Sequence, residues 1–118
     1  MSRVAEQAAF LLDFCRLVLW GTEQGFVFTP GELARTIEQQ AIYFKSGRSK
    51  TMNSRHLVRM AGDLNIFKDG KLCTARELEP LGRHWEAMHP KNRWGGNFDK
   101  DWSRPDGFVD GPHFERAD

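Results

Sequence analysis

The chain has 118 residues, with 17 Lys and Arg against 16 Asp and Glu for a net charge of +1, and 40% of its residues are hydrophobic. That length suits one compact domain with one core, so residues 1–118 are read as a single domain. The near-neutral charge creates no field that would draw the protein to nucleic acid or to a membrane surface, and no nucleic-acid-binding motif stands in the chain.

Val4, Ala8, Leu11, Leu12, Cys15, Val18 and Leu19 recur at helical spacing, with Arg3, Glu6, Gln7, Asp13 and Arg16 between them. The pattern predicts an amphipathic helix over about residues 3–20. Asp13 and Arg16 interrupt the apolar run, and no small-residue cleavage site follows. The segment therefore reads as neither a secretory leader nor a membrane span. Phe26-Val27-Phe28 is an extended run. Thr29 as N-cap, Pro30 in the first helical position and Glu32 closing a capping box predict a second helix. Leu33, Ile37, Ala41 and Phe44 line its expected buried face, and Gly47 ends it.

Residues 45–59 read as a basic loop carrying Lys45, Arg48, Lys50, Arg55 and Arg59 with no acid among them. Asp63 to Phe67 is a strand, Asp69-Gly70 a tight turn, and Lys71-Leu72-Cys73 the returning partner. Thr74 to Glu77 forms a second capping box ahead of a helix marked by Leu78, Leu81, Trp85 and Met88. Pro80 moves the start of that helix toward Glu79. Beyond His89 the chain is rich in Gly, Pro, Trp and Asp, with short strands expected at Trp94 to Phe98 and at Phe108 to Glu115. Cys15 and Cys73 lie far apart and form no metal-type pair. They are expected to stay reduced, in keeping with synthesis in the cytoplasm.

The chemistry concentrates in two segments. Ser54-Arg55-His56 is followed by Asp63, and Asp110-Gly111-Pro112-His113-Phe114-Glu115 comes near the end. Two histidines and a carboxylate can hold zinc in three positions and leave a fourth open for water. Asp110, three residues before His113, is placed to act as general base. A tetrahedral oxyanion would then need cationic or hydrogen-bond stabilisation. Glu115 is expected to support a ligating histidine or to face solvent. His84 and His89 flank Trp85 with no carboxylate spaced to join them.

The string Ser54-x-His56-x-x-x-x-Ala61-x-Asp63 with a downstream Asp110-x-x-His113 resembles the zinc peptidases that cut peptidoglycan stem peptides. That family includes the D-Ala-D-Ala carboxypeptidases and dipeptidases and the phage L-alanyl-D-glutamate endolysins. The resemblance extends to Arg35-Thr36-x-Glu38-x-Gln40, Gly47-x-Ser49-Lys50-Thr51, Asp63-Leu64 and Trp94-Gly95-Gly96. It is nearest to the phage endolysins, because the final acid is Asp in an Asp-x-x-His-Phe-Glu string.

The resemblance implies an α+β fold, a small antiparallel sheet carrying the zinc site with helices packed to one side. It implies His56, Asp63 and His113 as zinc ligands, Asp110 as base, Arg35 at the developing oxyanion and Ser54 placing the substrate backbone. The alternative for Arg35 is an ion pair with Glu38 one turn away. The family usually has Gly where this chain has Arg59, which bears on substrate binding. Arg59 and the basic loop around it are expected to meet the carboxylates of stem peptides.

The expected function is zinc-dependent cleavage of a stem-peptide amide, L-Ala-D-Glu by resemblance, by a monomeric phage or prophage endolysin released through a holin. A D-Ala-D-Ala carboxypeptidase or dipeptidase is the alternative among enzymes, and a non-catalytic zinc module that binds cell wall is the alternative outside them. No stable membrane insertion is expected.

Overall fold

The structure, a computed structural model, describes residues 2–49, 54–97 and 111–117. Asp110, Lys50 and Thr51 and the start of the strand expected from Phe108 lie outside the described residues. Three helices, α1 (Arg3–Glu23), α2 (Ile37–Ser46) and α3 (Glu79–Met88), accompany an antiparallel sheet. Its strands are β1 (Val27–Pro30), β2 (Ala61–Lys68), β3 (Lys71–Leu72), β4 (Asn92–Trp94) and β5 (His113–Arg116). The sheet order is β1-β2-β5-β4, with β3 paired to the end of β2. This is the α+β architecture expected.

Helix α1 forms as expected, capped by Ser2, whose Oγ accepts from the Ala5 N–H at 3.1 Å. The face it buries is not the one the apolar stripe suggested. Phe10, Phe14, Leu17 and Gly21 turn inward, while Val4, Leu11, Leu12 and Leu19 are at least half exposed. Aromatic area decides the competition, because Phe10 and Phe14 pack edge-on to Trp85 of α3, and Trp85 packs edge-on to Phe114 of β5. Buried Trp94 donates its indole N–H to the Gly111 carbonyl at 2.8 Å and so belongs to the core.

The second helix begins later than its sequence signal. Thr29 and Pro30 continue β1, paired with Asn65 and Leu64 of β2. An edge strand tolerates proline at its end, and the strand pairing overrides the capping box. Thr36 is the working N-cap, its Oγ1 accepting from the Gln39 N–H at 3.1 Å, and Gly47 closes the helix in the left-handed region. Leu33, Ile37 and Phe44 are exposed. The buried residue of α2 is Gln40.

Two turns behave as read. Asp69 and Gly70 both have positive φ, as a two-residue hairpin turn requires. Thr74 and Glu77 exchange reciprocal capping bonds of 2.9 and 3.3 Å, but these close a turn ahead of α3, whose first helical residue is Glu79. Cys15 and Cys73 are unpaired. Among the described residues no helix is long and apolar enough to cross a membrane.

A short 3-10 turn, Arg55–Val58, interrupts the expected basic loop and ends at Arg59 with φ 58° and ψ 36°. Only glycine adopts the left-handed region without a steric cost. Arg59 therefore carries a backbone strain that glycine would not. Arg59→Gly should raise stability by about 1 kcal/mol, measured as an increased urea midpoint at unchanged slope. A lower midpoint would mean that the Arg59 side chain contributes more than its backbone costs.

Candidate metal centre

The site is built on strand alternation. In β5, Phe114 faces the core, so His113 and Glu115 share the opposite face. In β2, Leu64 and Ile66 are buried in the core, so Asp63 also faces away from it. Asp63 and His113 are direct cross-strand partners, which brings their side chains together. His113 Nδ1 lies 3.0 Å from Asp63 Oδ1. His56 arrives from the 3-10 turn, with Nε2 3.2 Å from Asp63 Oδ1 and 3.2 Å from His113 Nδ1. The Ser54 side chain starts that turn by accepting from the His56 N–H at 3.2 Å.

One oxygen and two imidazole nitrogens thus form a triangle with edges of 3.0 to 3.2 Å. A tetrahedral ion bound at about 2.0–2.1 Å needs donors about 3.3 Å apart, so the triangle is close to the required size. His56 and His113 are buried and Asp63 half-buried. The far nitrogens complete the fit. His56 Nδ1 donates to the Leu33 carbonyl at 3.0 Å, and His113 Nε2 donates to Glu115 Oε1 at 2.7 Å. Each bond fixes the tautomer that leaves the inner nitrogen's lone pair free, as metal-ligating histidines require. This group can hold a metal ion.

The electrostatics point the same way. Burial opposes a charged His113, but hydrogen bonds and charge from Asp63 and Glu115 outweigh it and push its pKa up to about 9. Burial would raise the Asp63 carboxyl, yet hydrogen bonds from His113 and His56, with their charges, hold it well below the usual carboxylate range. A buried place that attracts one positive charge this strongly suits a cation.

Residues 31–36 form the back wall. The Glu32 carbonyl accepts from the Asp63 N–H at 2.8 Å, and the Arg35 N–H donates to the His56 carbonyl at 3.2 Å. Gly31 passes so close that a Cβ there would meet the Asp63 carbonyl oxygen at 2.4 Å. Gly62, beside Asp63, gives the matching clearance for the Phe14 ring, which a Cβ would meet at 2.5 Å.

Arg35 comes to this wall, though not with the partner expected. Its carboxylate is Glu32, which accepts from Nε and faces Nη2, rather than Glu38. Nη1 donates to Gln40 Oε1 at 2.6 Å and to Ser54 Oγ at 3.2 Å. Ser54 therefore links Arg35 to the His56 turn. Sequence reasoning passed over Glu32 as a site residue, because it read as the end of a capping box. His84 stacks on Trp20 at 3.9 Å and the His89 ring accepts from the Lys91 N–H, so neither joins the triangle.

No protein-family profile matches the chain. It is 35% identical over 102 residues to an L-alanyl-D-glutamate peptidase of Listeria phage A118, an alignment that takes in 85% of this chain and 34% of that protein. The chain therefore spans about a third of the length of this relative. Among solved structures it matches an L-Ala D-Glu endopeptidase, ChiX of Serratia marcescens, with a TM-score of 0.56 and 24% identity over 76% of this chain and 66% of that one. The resemblance read from the residues is thus present at both levels: the chain is like a phage L-alanyl-D-glutamate peptidase in sequence and like an L-Ala D-Glu endopeptidase in fold.

Proposed function

We propose that the protein is a zinc peptidase that hydrolyses the L-Ala-D-Glu amide of peptidoglycan stem peptides, acting as a phage-type endolysin. The observation that carries this is the buried triangle of two imidazole nitrogens and a carboxylate oxygen, each histidine oriented by its own outer hydrogen bond. The likeness to an L-alanyl-D-glutamate peptidase over most of the chain supports the bond chosen. In this reading His56, Asp63 and His113 are the ligands, and the mixed nitrogen and oxygen donor set suits zinc. Zinc, when bound, supplies a water acidic near neutral pH and polarises the amide carbonyl.

The chain's own residues do the rest. Asp110 takes the proton from the attacking water and returns it to the leaving amine. Glu115 holds His113 in its ligating tautomer. Arg35 stabilises the oxyanion, and Ser54 and Arg59 bind substrate, Arg59 through its exposed charge. In this reading the protein acts on the cell wall, which it would reach by holin-type release.

Digestion of purified muropeptides by the zinc-loaded protein, with the products weighed, tests the reaction. Cleavage between L-Ala and D-Glu is expected. Release of terminal D-Ala would instead place the protein with the carboxypeptidases, and zinc uptake with no product would make it a binding module.

Asp110→Asn should retain zinc and lose turnover by about 10²-fold or more, since an amide cannot accept the water's proton. Near-normal turnover would remove Asp110 from the base role.

The pKa shifts predict opposite pH dependences with and without zinc. His113 is raised from 6.5 to about 9, so its contribution to the stability of zinc-free protein is complete below 6.5 and lost as pH rises through 9. Asp63 is depressed from 3.8, so its contribution is present above that value and lost as pH falls below it. Chelator-treated protein should therefore be less stable at about pH 9.5 than at about pH 6. Zinc needs both imidazoles neutral, so its affinity should rise over the same interval. Denaturation midpoints with chelator and with zinc at both pH values measure this. A zinc affinity that does not change with pH would count against the two histidines as ligands.

A further inference from the structure

Helix α2 is inverted relative to an ordinary surface helix. Ile37 is 68% exposed, Ile42 59% and Phe44 47%, while Gln40 is 0% exposed. Burying an amide is unfavourable unless both of its ends are bonded, and here both are. Gln40 Oε1 accepts from Arg35 Nη1 at 2.6 Å, a short charge-assisted bond, and Nε2 donates to Ser49 Oγ at 2.8 Å. Tyr43, one turn further along the helix, lays its ring against the Arg35 guanidinium at 4.7 Å and donates its hydroxyl to Glu32 Oε2 at 3.3 Å.

Arg35 is thus held in its plane and from its face. Guanidinium offers five N–H donors in a rigid fork. Glu32 accepts from Nε and lies against Nη2, while Gln40 and Ser54 both accept from Nη1. Nη2 has no acceptor other than Glu32 among the described residues. The direction in which Nη2 points is set by the acceptors on the other side of the fork.

We propose that Gln40 is a positioning residue, which fixes Nη1 of Arg35 so that Nη2 is aimed at the substrate oxyanion. The proposal rests on the oxyanion role given to Arg35 above. It assigns α2 a reason to dock through a polar residue: the helix serves as the mount of the arginine.

Two measurements test it, one of them independent of turnover. In ¹⁵N-labelled protein with zinc bound, the Arg35 Nη protons should give separate, slowly averaging NMR signals, because Gln40 and Ser54 both accept from Nη1. Gln40→Met, close in volume but without the acceptor, should collapse them into one averaged signal. Gln40→Glu, which keeps an acceptor, should preserve them, and it covers the case in which the methionine variant folds poorly. Identical Arg35 signals in wild type and Gln40→Met would overturn the proposal, whatever the protein's activity.

On muropeptides, Gln40→Met should lower kcat by about 10- to 100-fold with KM changed by less than about threefold, zinc content being unchanged. Gln40→Glu should recover most of that loss. In an Arg35→Lys background, Gln40→Met should add less than about twofold, because the residue acts only through Arg35. An equal fold-loss in both backgrounds, or a rise in KM alone, would overturn the proposal. A wild-type protein that shows the NMR behaviour but no cleavage would refute the peptidase reading and leave the mounting of Arg35 standing.

Discussion

The site depends on one strand register. Asp63 of β2 and His113 of β5 meet because they are direct cross-strand partners. A slip of one residue would turn Asp63 into the core and bring an apolar or glycine position opposite His113. What pins the register lies on the other face of the sheet. Phe114 stands against Trp85, and Gly62 admits Phe14. At the end of β5, Arg116 pairs with Asp13 of α1 and donates from Nε to Asn92 Oδ1 at 2.8 Å. The hydrophobic core and this buried ion pair therefore act on the chemistry at a distance, by denying the sheet any other alignment.

His56 needs separate support, because it comes from a 3-10 turn outside the sheet. The segment 31–36 supplies it with backbone groups rather than side-chain packing: one carbonyl to the His56 ring, one N–H to its carbonyl and another carbonyl to Asp63. Close approach of Gly31 to Asp63 makes that geometry possible. The two outer hydrogen bonds, Leu33 to His56 and Glu115 to His113, then commit each imidazole to the nitrogen it presents. A site organised before the ion arrives loses little conformational freedom on binding it.

Much of this was legible in the chain. His56, Asp63 and His113 stand at spacings that strand alternation and one turn convert into a triangle. The Asp69-Gly70 turn and the start of α3 near Glu79 followed from local chemistry. Three readings failed where tertiary packing overruled local signals. The α1 stripe of aliphatics lost to Phe10, Phe14 and Leu17, whose aromatic partners on α3 and β5 are distant in sequence. The Thr29-Pro30-Glu32 box lost to pairing with β2, and Glu32 became the carboxylate of Arg35. The apolar face assigned to α2 lost to Gln40, because the element that α2 meets is a guanidinium. A buried glutamine carries no periodic signal, so spacing alone could not have found it.

One metal ion is proposed to sit among His56, Asp63 and His113. X-ray absorption at the zinc edge of the zinc-loaded protein tests it most directly. Two imidazole nitrogens and one carboxylate oxygen are expected at about 2.0–2.2 Å, with a fourth, light-atom ligand from solvent. Loss of the imidazole scattering in a His56→Ala/His113→Ala variant should accompany loss of the bound zinc. A sulfur shell, or a six-oxygen shell unchanged by that double substitution, would contradict the assignment.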